Sequence, residues 1–210
     1  MHARSTTISA DPKLLGPGTD YVRDEALPMA READGCLGLS MLADRTSGRC
    51  IVTTSWRDEE AIRASRADIA AFRDGTAGAL GGEPASAVVV EEWEIAAMHR
   101  VHEPHSAACS RVTWLRTAPG SVQRAVDAVR LSLMPKLDDL PGFCSVSVLV
   151  RPDDGTAVST VTYDTWPDLE AAADGAREFR EEFAPSLGIE VLDSADFDLL
   201  VAHLRVPETL

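Results

Sequence analysis

The chain has 210 residues, of which 45% are hydrophobic and 26% are charged, and these values are typical of a globular protein. Its formal net charge of −14 repels phosphate backbones and anionic lipid surfaces, so neither nucleic acid nor a membrane is expected as a partner. No apolar run approaches the roughly 20 residues that span a bilayer. The 4 cysteines show no Cys-x-x-Cys spacing, so neither a zinc site nor a disulfide framework is indicated. We therefore expect a cytoplasmic protein whose cysteines are core residues.

The first half of the chain predicts the order strand, helix, strand, strand, helix, strand. Alternating residues favour the strands, and longer amphipathic stretches favour the helices. Asp58, Glu59 and Glu60 are typical of the amino terminus of a helix, where carboxylates stabilise the helix dipole. The predicted elements are a strand at 4–10, a helix at 19–33, strands at 36–42 and 50–56, a helix at 58–73 and a strand at 87–96.

The second half predicts the same order. Its elements are a strand at 111–116, a helix at 121–137, strands at 143–150 and 156–163, a helix at 166–183 and a strand at 195–204. A gap-free alignment of the chain with itself supports the duplication, because it superposes turn glycines, prolines and arginines of the two halves. Matched pairs include Gly35 with Gly142, Gly48 with Gly155, Arg4 with Arg111, and Arg73 with Arg180.

The repeat predicts an α+β protein made of two tandem ferredoxin-like βαββαβ copies. We expect the first copy to span 1–97 and the second to span 109–210, with a histidine-containing linker at 98–108. Each copy exposes one face of its sheet, so we expect the two sheets to pack face to face as a pseudo-dimeric α+β barrel around a shared cavity. Whether this single-chain pseudo-dimer pairs further as a homodimer is left open by the sequence.

The hairpin loops predict which side chains share a face. Segments 45–48 and 152–155 both end in glycine, which is typical of a type I turn closed by a left-handed residue in a three-residue hairpin loop. The pairs predicted from this loop are Ser40 with Thr54, Gly38 with Trp56, Ser147 with Val161, and Ser145 with Tyr163.

One face of each hairpin is uniformly apolar, and we expect the helices to cover it. This face carries Leu37, Leu39 and Met41 in the first copy, and Cys144, Val146 and Val148 in the second. On the first strands, Ile8 and Leu115 are the apolar residues predicted for the helix side. Alternation places Ser5, Thr7, Ser9, Val112, Trp114 and Arg116 on the opposite, inner face.

Two stretches of the first copy resemble the antibiotic-biosynthesis-monooxygenase family of the dimeric α+β barrel superfamily. They are Asp-Gly-Cys-Leu-Gly-Leu-Ser at 34–40 and the run from Gly48 through Trp56 to Ala61, echoed in the second copy by 140–143 and 155–163. The resemblance implies a barrel of two ferredoxin-like sheets and, in some members, oxygenation of aromatic polyketides without a cofactor. The resemblance implies that a haem-degrading member would need an axial histidine on or just after the second helix and an asparagine on the first strand. Haem degradation is therefore not expected, because neither second helix contains a histidine and the chain has no asparagine.

The predicted inner face supplies the candidate site. Cofactor-free oxygenation of a phenol needs an apolar, aromatic-lined pocket and a group that stabilises the phenolate. We assign a catalytic role to Arg116 and Tyr163, through charge stabilisation and orientation of the ring. The substrate-binding candidates are Thr7, Trp56, Trp114 and Ser145. The alternative is that these aromatic residues simply fill the centre of the barrel.

Three histidines, His99, His102 and His105, precede Cys109 within a short segment. Histidine is a common metal ligand, but Pro104 prevents a helix from presenting these residues on one face. We interpret the segment as a solvated linker, with metal binding as the alternative.

Two functions therefore remain open from the sequence. The first is a cofactor-independent monooxygenase-like enzyme that acts on an aromatic or polyketide-like small molecule. The second is a non-catalytic protein that uses the same fold to bind a small molecule or to serve in a stress response.

Overall fold

The computed structural model describes residues 1–81 and 88–209. The chain forms two compact units, and the α+β class is confirmed. The first unit contains Met1–Trp93 and Asp198–Val206, and the second contains Glu94–Phe197 and Pro207–Leu210. The chain enters the second unit within one long strand and returns to the first within another. Each of these strands therefore contributes one segment to each unit.

The first unit consists of an antiparallel sheet and the helices that cover it. Its elements are β1 (His2–Ser9), α1 (Leu15–Tyr21), α2 (Leu27–Glu32), β2 (Cys36–Ala43), β3 (Arg49–Trp56), α3 (Glu59–Ala64), α4 (Arg66–Ala79) and the first part of β4 (Val88–Arg100). The strand order is β4-β1-β3-β2-β8, in which the last strand is the segment of β8 that begins at Asp198.

The second unit repeats this arrangement. Its elements are the rest of β4, then β5 (Cys109–Arg116), α5 (Val122–Ala128), α6 (Met134–Leu137), β6 (Phe143–Arg151), β7 (Thr156–Tyr163), α7 (Trp166–Ala171), α8 (Ala173–Glu178), α9 (Ala184–Ser186) and β8 (Glu190–Leu204) as far as Phe197. The strand order is β8-β5-β7-β6-β4. None of the helices in the described residues is both long enough and apolar enough to cross a membrane.

Each unit has a core between its sheet and its helices. In the first unit, Leu39 and Met41 pack in one cluster with Val22 and Leu80. In the second unit, Val146 and Val148 pack in a cluster with helix residues that include Val126. The helices therefore cover the apolar face predicted for β2 and β6, as the hydrophobic effect requires.

The hairpin register differs by one residue from the prediction. The amide of Gly48 donates to the carbonyl of Asp44 at 2.9 Å, and the amide of Asp44 donates to the carbonyl of Arg49 at 2.9 Å. The whole segment 45–48 therefore lies in the loop, which is longer by one residue than the predicted turn. Gly48 does take the expected left-handed conformation, with φ of 75°.

The longer loop shifts every pair of the two hairpins. The observed pairs are Ser40 with Thr53, Leu39 with Thr54, Cys36 with Trp56, Ser147 with Thr160, Ser145 with Thr162, and Phe143 with Tyr163. Because side chains alternate between the two faces of a strand, a shift of one residue moves a whole strand's side chains to the other face. The predicted faces of β3 and β7 are therefore wrong, whereas those of β2 and β6 hold from Leu39 and Val146 onwards.

The last strand of the first copy is longer than predicted. Strand β4 continues to Arg100, so His99 lies in the strand and pairs with Val146 of β6. The first residue of the predicted strand at 87–96 lies outside the described residues. The division of the chain at 97 and 109, and a barrel with a cavity enclosed by the two copies, stay predictions.

Replacing Gly48 by alanine should destabilise the protein strongly. A Cβ at this position would lie 2.1 Å from the carbonyl oxygen of Ala10, and the positive φ adds strain. We expect the free energy of unfolding to fall by about 2 kcal/mol or more in urea denaturation. Gly78→Ala is the matched control, because a Cβ there meets nothing within 4 Å and alanine favours the helix. Equal effects of the two substitutions would contradict the account.

Candidate functional site

The six predicted site residues are divided between the two units. Thr7 and Trp56 belong to the first unit, and the other four belong to the second. Ile8 packs in the core on the helix side of β1. Because side chains alternate along a strand, its neighbour Thr7 lies on the sheet face away from the helices. Trp56 is fully buried among helix residues on the opposite face of the same sheet. Thr7 and Trp56 therefore do not share a site.

The four residues in the second unit are also divided between two faces. Ser145, Trp114 and Arg116 pair with Thr162, Val158 and Thr156, so they lie on the sheet face away from the helices. The ring centroids of Trp114 and Phe197 lie 6.4 Å apart, and Arg116 is exposed at the end of β5. Tyr163 instead packs with Leu169 and Ala172 of α7 and its carboxyl-terminal end. The shared face predicted for Arg116 and Tyr163 does not form, because the register of the hairpin differs by one residue.

A pocket lies on the helix side of the second unit's sheet. Its volume is about 150 Å³, and strands β5 and β7 form its floor. The apolar part of its lining consists of Leu133, Leu137, Leu140, Val161, Ala172, Ala176 and Phe179. The polar part consists of Arg111, Thr113, Lys136, Ser159, Tyr163 and Arg180.

Register and alternation explain the polar residues on the pocket floor. Arg111 pairs with Val161, and Thr113 pairs with Ser159, so one face of β5 and one face of β7 both point to the helices. Tyr163 lies at the end of this row, opposite Cys109. The sequence predicted the helix side only from its apolar residues, and so it missed Arg111 and Thr113. The match of Arg4 with Arg111 in the repeat was the signal that could have pointed to them.

Arg111 is held by an acidic residue of the last strand. Its Nε and Nη2 donate to the two carboxylate oxygens of Asp196 at 2.8 and 2.9 Å, which is a bidentate pair. These hydrogen bonds raise the pKa of the Arg111 guanidinium above its ordinary value. Ser194 and Arg180 line a second recess beside this pair, of about 340 Å³. The hydrogen bonds to Asp196 therefore hold the planar guanidinium of Arg111 between the recess and the apolar pocket.

Three of the other polar side chains of the pocket, Lys136, Tyr163 and Arg180, are available to a ligand. Within the described part of the chain, Lys136 and Arg180 have no ion-pair partner, and the hydroxyl of Tyr163 has no hydrogen-bond partner. Burial raises the pKa of Tyr163 to about 12, so its hydroxyl is a neutral donor at physiological pH. No carboxylate and no histidine is among the described residues that line the pocket. The lining is therefore apolar with cationic groups.

The first unit fills the corresponding place differently. Trp56 stands where the repeat has Tyr163, and its indole Nε1 donates to Thr54 Oγ1 at 3.0 Å. Arg4 of this unit donates to Glu92 at 2.8 Å and to the carbonyl of Ile62 at 2.6 Å. The larger side chain and the paired arginine leave a recess lined mainly by polar and charged residues. The pocket of the second unit is therefore mostly apolar, whereas the corresponding recess of the first unit is mostly polar and charged.

A second cluster of chemistry-bearing groups lies at the ends of strands in the second unit. Ligand atoms of His102, Cys144 and Asp164 all lie within 4.8 Å of one another. The Cys144 thiol donates to Asp164 Oδ1 at 3.2 Å. Burial, together with this hydrogen bond, raises the pKa of the thiol to about 12. The sequence associated the histidines with Cys109, because Cys144 and Asp164 are distant along the chain.

Comparison with known proteins gives relatives that cover nearly the whole chain. The uncharacterised protein Rv2558 of Mycobacterium tuberculosis strain H37Rv is 45% identical over 209 residues, which are 99% of this chain and 87% of the relative. Rv2557 of the same strain is 42% identical over 208 residues, which are 99% of this chain and 91% of the relative. This chain belongs to their family. No model of a described protein family matches the sequence.

Solved structures show that the fold is that of monooxygenase-like proteins. A candidate monooxygenase from Lactobacillus acidophilus NCFM has a TM-score of 0.71 at 10% identity, with 97% of this chain and 96% of that chain covered. An anthrone oxidase-like protein has a TM-score of 0.63 at 16% identity, with 100% and 96% covered. A ferredoxin-fold protein of Listeria monocytogenes 4b F2365, related to antibiotic biosynthesis monooxygenases, has a TM-score of 0.51 at 8% identity, with 95% of each chain covered. At these identities the likeness establishes the fold alone.

Asp196→Ala should destabilise the protein, because it leaves the half-buried Arg111 guanidinium without its carboxylate. The side chains of Arg111 and Asp196 are only 15% and 31% exposed. We expect a loss of about 1.5 kcal/mol in the free energy of unfolding, measured by urea denaturation. Asp174→Ala is the control, because Asp174 pairs with Arg177 at the surface and its loss should change the free energy of unfolding much less. A loss for Asp196→Ala that is no larger than the control's would show that the pair contributes nothing.

Stability should fall as the pH rises from about 9 to 12. In the folded protein Cys50, Cys144 and Tyr163 have pKa values of about 12, against ordinary values of 9.0 for cysteine and 10.0 for tyrosine. Above these ordinary values the unfolded chain releases protons that the folded protein retains, so the free energy of unfolding decreases with pH. Tyr163→Phe should reduce this decrease above pH 10, as measured by denaturation at a series of pH values. An unchanged slope in Tyr163→Phe would exclude a buried, neutral Tyr163.

Proposed function

We propose that the chain binds a small aromatic molecule with an acidic or phenolic group in the pocket of the second unit. The observation that supports this proposal is the combination of an apolar cavity of about 150 Å³ with cationic groups on its lining. Ligand sites are typically concave and mostly apolar, with a few polar groups that set orientation. The pocket agrees with that description in each respect.

The ring of the ligand occupies the apolar part of the pocket in this proposal. Leu137, Leu140 and Val161 offer aliphatic contacts, and Phe179 offers an aromatic edge or face for a second ring. The transfer of an aromatic ring from water to such a surface is favourable in proportion to the apolar area removed from water. A purely aliphatic ligand would also gain this energy, and so the apolar lining alone does not set the class.

The charge of the lining selects among apolar ligands. Lys136 and Arg180 are cations without an ion-pair partner in the described residues, and Arg111 remains a donor after pairing with Asp196. A carboxylate or phenolate on the ligand would neutralise a free cation, whereas an amine would be repelled. The neutral hydroxyl of Tyr163 adds one hydrogen-bond donor. We therefore infer an anionic or phenolic aromatic ligand.

Cofactor-independent oxygenation is the second candidate function. The monooxygenase-like fold favours it, and so does a pocket whose cations would lower the pKa of a bound phenol and increase the electron density of its ring. For a ring system with a methylene group opposite the phenol, reaction with O₂ converts the methylene to a carbonyl and releases water. One oxygen atom enters the carbonyl, and the other leaves with the two methylene hydrogens.

We rank ligand binding above oxygenation because no carboxylate or histidine that could act as a general base is among the described residues of the pocket. Phenolate formation would rely on the lowered pKa of the ligand, and Lys136 is the sole lining residue in the described part of the chain whose neutral form could accept a proton. Arg116, the charge-stabilising residue predicted from the sequence, lies on the other face of the sheet. In the proposal Arg111 and Arg180 stabilise the charge of the phenolate.

The pairing of two chains as a homodimer stays a prediction.

Ala176→Phe should weaken ligand binding by filling the pocket. We expect anionic aromatic compounds, such as hydroxybenzoates and hydroxynaphthoates, to raise the unfolding temperature of the native protein by mass action. Ala176→Phe should weaken that response at least about tenfold in ligand concentration, because the new ring occupies the place of the ligand. Ala70→Phe is the matched control, since Ala70 lines the recess of the first unit. Equal responses of the two variants would place the ligand elsewhere.

The same compounds distinguish binding from oxygenation. If the chain is an oxygenase, a bound anthrone or hydroxynaphthol should consume one O₂ per molecule oxidised, with quinone formation followed by absorbance. Arg180→Ala should lower both affinity and rate, whereas Arg73→Ala, its match in the first unit, should change neither. Ligand binding without O₂ consumption would establish the binding protein and exclude the oxygenase.

A further inference from the structure

The second cluster lies where three segments of the second unit meet. Strand β4 ends at Arg100, and the amide of Val101 donates to the carbonyl of Cys144 at 2.9 Å. The amide of Asp164, directly after β7, donates to the carbonyl of Gly142 at 2.7 Å. These backbone hydrogen bonds bring the segment after β4, the start of β6 and the end of β7 together. The cluster is thus built on anchored backbone.

The distances between side chains are those of a compact ligand set. Asp164 lies at the centre, with Oδ2 at 3.6 Å from His102 Nε2 and Oδ1 at 3.6 Å from His105 Nε2. Cys144 Sγ lies 3.2 Å from Asp164 Oδ1. With metal bonds of about 2.0–2.3 Å, the ligand atoms of a tetrahedral site lie roughly 3.3–3.8 Å apart. A cation could therefore contact these groups after small side-chain movements.

The orientation of His102 also suits a metal ligand. Its Nδ1 lies 3.0 Å from the carbonyl oxygen of Glu103, which can only accept a hydrogen bond. Nδ1 therefore donates to this carbonyl, and Nε2 lies 3.6 Å from Asp164 Oδ2. Metal-binding histidines commonly donate the other ring N–H to a backbone carbonyl in this way, which fixes the tautomer.

Exposure and charge are compatible with the same interpretation. Cys144 is buried, the side chain of Asp164 is 24% exposed and that of His102 is 37% exposed, so the cluster opens to solvent on the histidine side. The side chain of His105 is 72% exposed. The ring centroids of His102 and His105 lie 5.7 Å apart. A cation can enter from solvent and reach the buried sulfur.

We propose that His102, Cys144 and Asp164 bind a zinc ion, with His105 as the fourth ligand. Nitrogen, sulfur and carboxylate oxygen are the donors that Zn²⁺ takes in tetrahedral sites. A hard cation such as Mg²⁺ or Ca²⁺ would not use imidazole and thiolate. The ion replaces the proton of the Cys144 thiol. It thereby pins the segment 101–108 to the ends of β6 and β7. This site is separate from the aromatic-ligand pocket and does not depend on it.

Zinc titration of the native chain, after removal of metal by a chelator, tests the proposal. We expect one equivalent of Zn²⁺ to bind and to raise the unfolding temperature. Cobalt should replace zinc and give the visible bands of a tetrahedral ion together with a thiolate-to-cobalt charge-transfer band. His102→Ala should weaken binding at least about a hundredfold, and His105→Ala should weaken it about tenfold.

Matched variants separate the site from other thiols and histidines. Cys144→Ser should remove the charge-transfer band, whereas Cys36→Ser should keep it, because Cys36 is a half-buried cysteine of the first unit. His99→Ala should bind like the native chain, since His99 contacts Asp138 and lies outside the cluster. If Cys144→Ser fails to fold, His102→Ala, a surface substitution, still decides the question. The proposal is overturned if no equivalent binds, or if His102→Ala and Cys144→Ser bind zinc as the native chain does.

Discussion

The pairing of β5 with β7 is the constraint on which the candidate site depends. It places Arg111 opposite Val161 and Thr113 opposite Ser159, and it turns both rows toward the helices. Only in this register do a guanidinium, a phenolic hydroxyl and an apolar helix face border one cavity. A register that differed by one residue would turn the side chains of β5 over relative to those of β7, so that Val112 and Trp114 faced the helices in place of Arg111 and Thr113.

The bidentate pair between Arg111 and Asp196 makes this arrangement stable as well as specific. A guanidinium on the helix side of a sheet costs free energy unless its charge and its donors are satisfied. Asp196 satisfies two of the donors, and it comes from the last strand of the chain. The first unit solves the same problem with Glu92, which pairs with Arg4. In both units the arginine of the first strand thus pairs with a carboxylate of a late strand, Glu92 of β4 or Asp196 of β8.

The two units differ in the side chains at the place where the second unit has its apolar pocket. Trp56 and Thr54 of the first unit form a buried hydrogen-bonded pair. Their matches Tyr163 and Val161 are smaller or less polar, and they line the cavity. The two units therefore share their order of elements, while a few side chains on one face separate a packed core from a cavity. Function in such folds follows these side chains and not the fold itself.

The sequence by itself determined the βαββαβ order of each half, the α+β class, the left-handed turn glycines and the apolar faces of β2 and β6. These follow from local rules, since hydrophobic periodicity and backbone sterics act over a few residues. The facing of β3 and β7 was predicted wrongly, because loop 45–48 and loop 152–155 are each longer by one residue than the turn chemistry indicated. That single residue moved Tyr163 and Trp56 to the helix side.

The tertiary structure alone decided which side chains meet. Asp196 lies far along the chain from Arg111, and Cys144 and Asp164 lie far from His102, so no local pattern could associate them. The hydrogen bonds that join the end of β4 to β6, and β7 to the turn before β6, create the second cluster. Contacts between residues distant in sequence depend on strand register and on packing against the helices, and both are properties of the assembled unit.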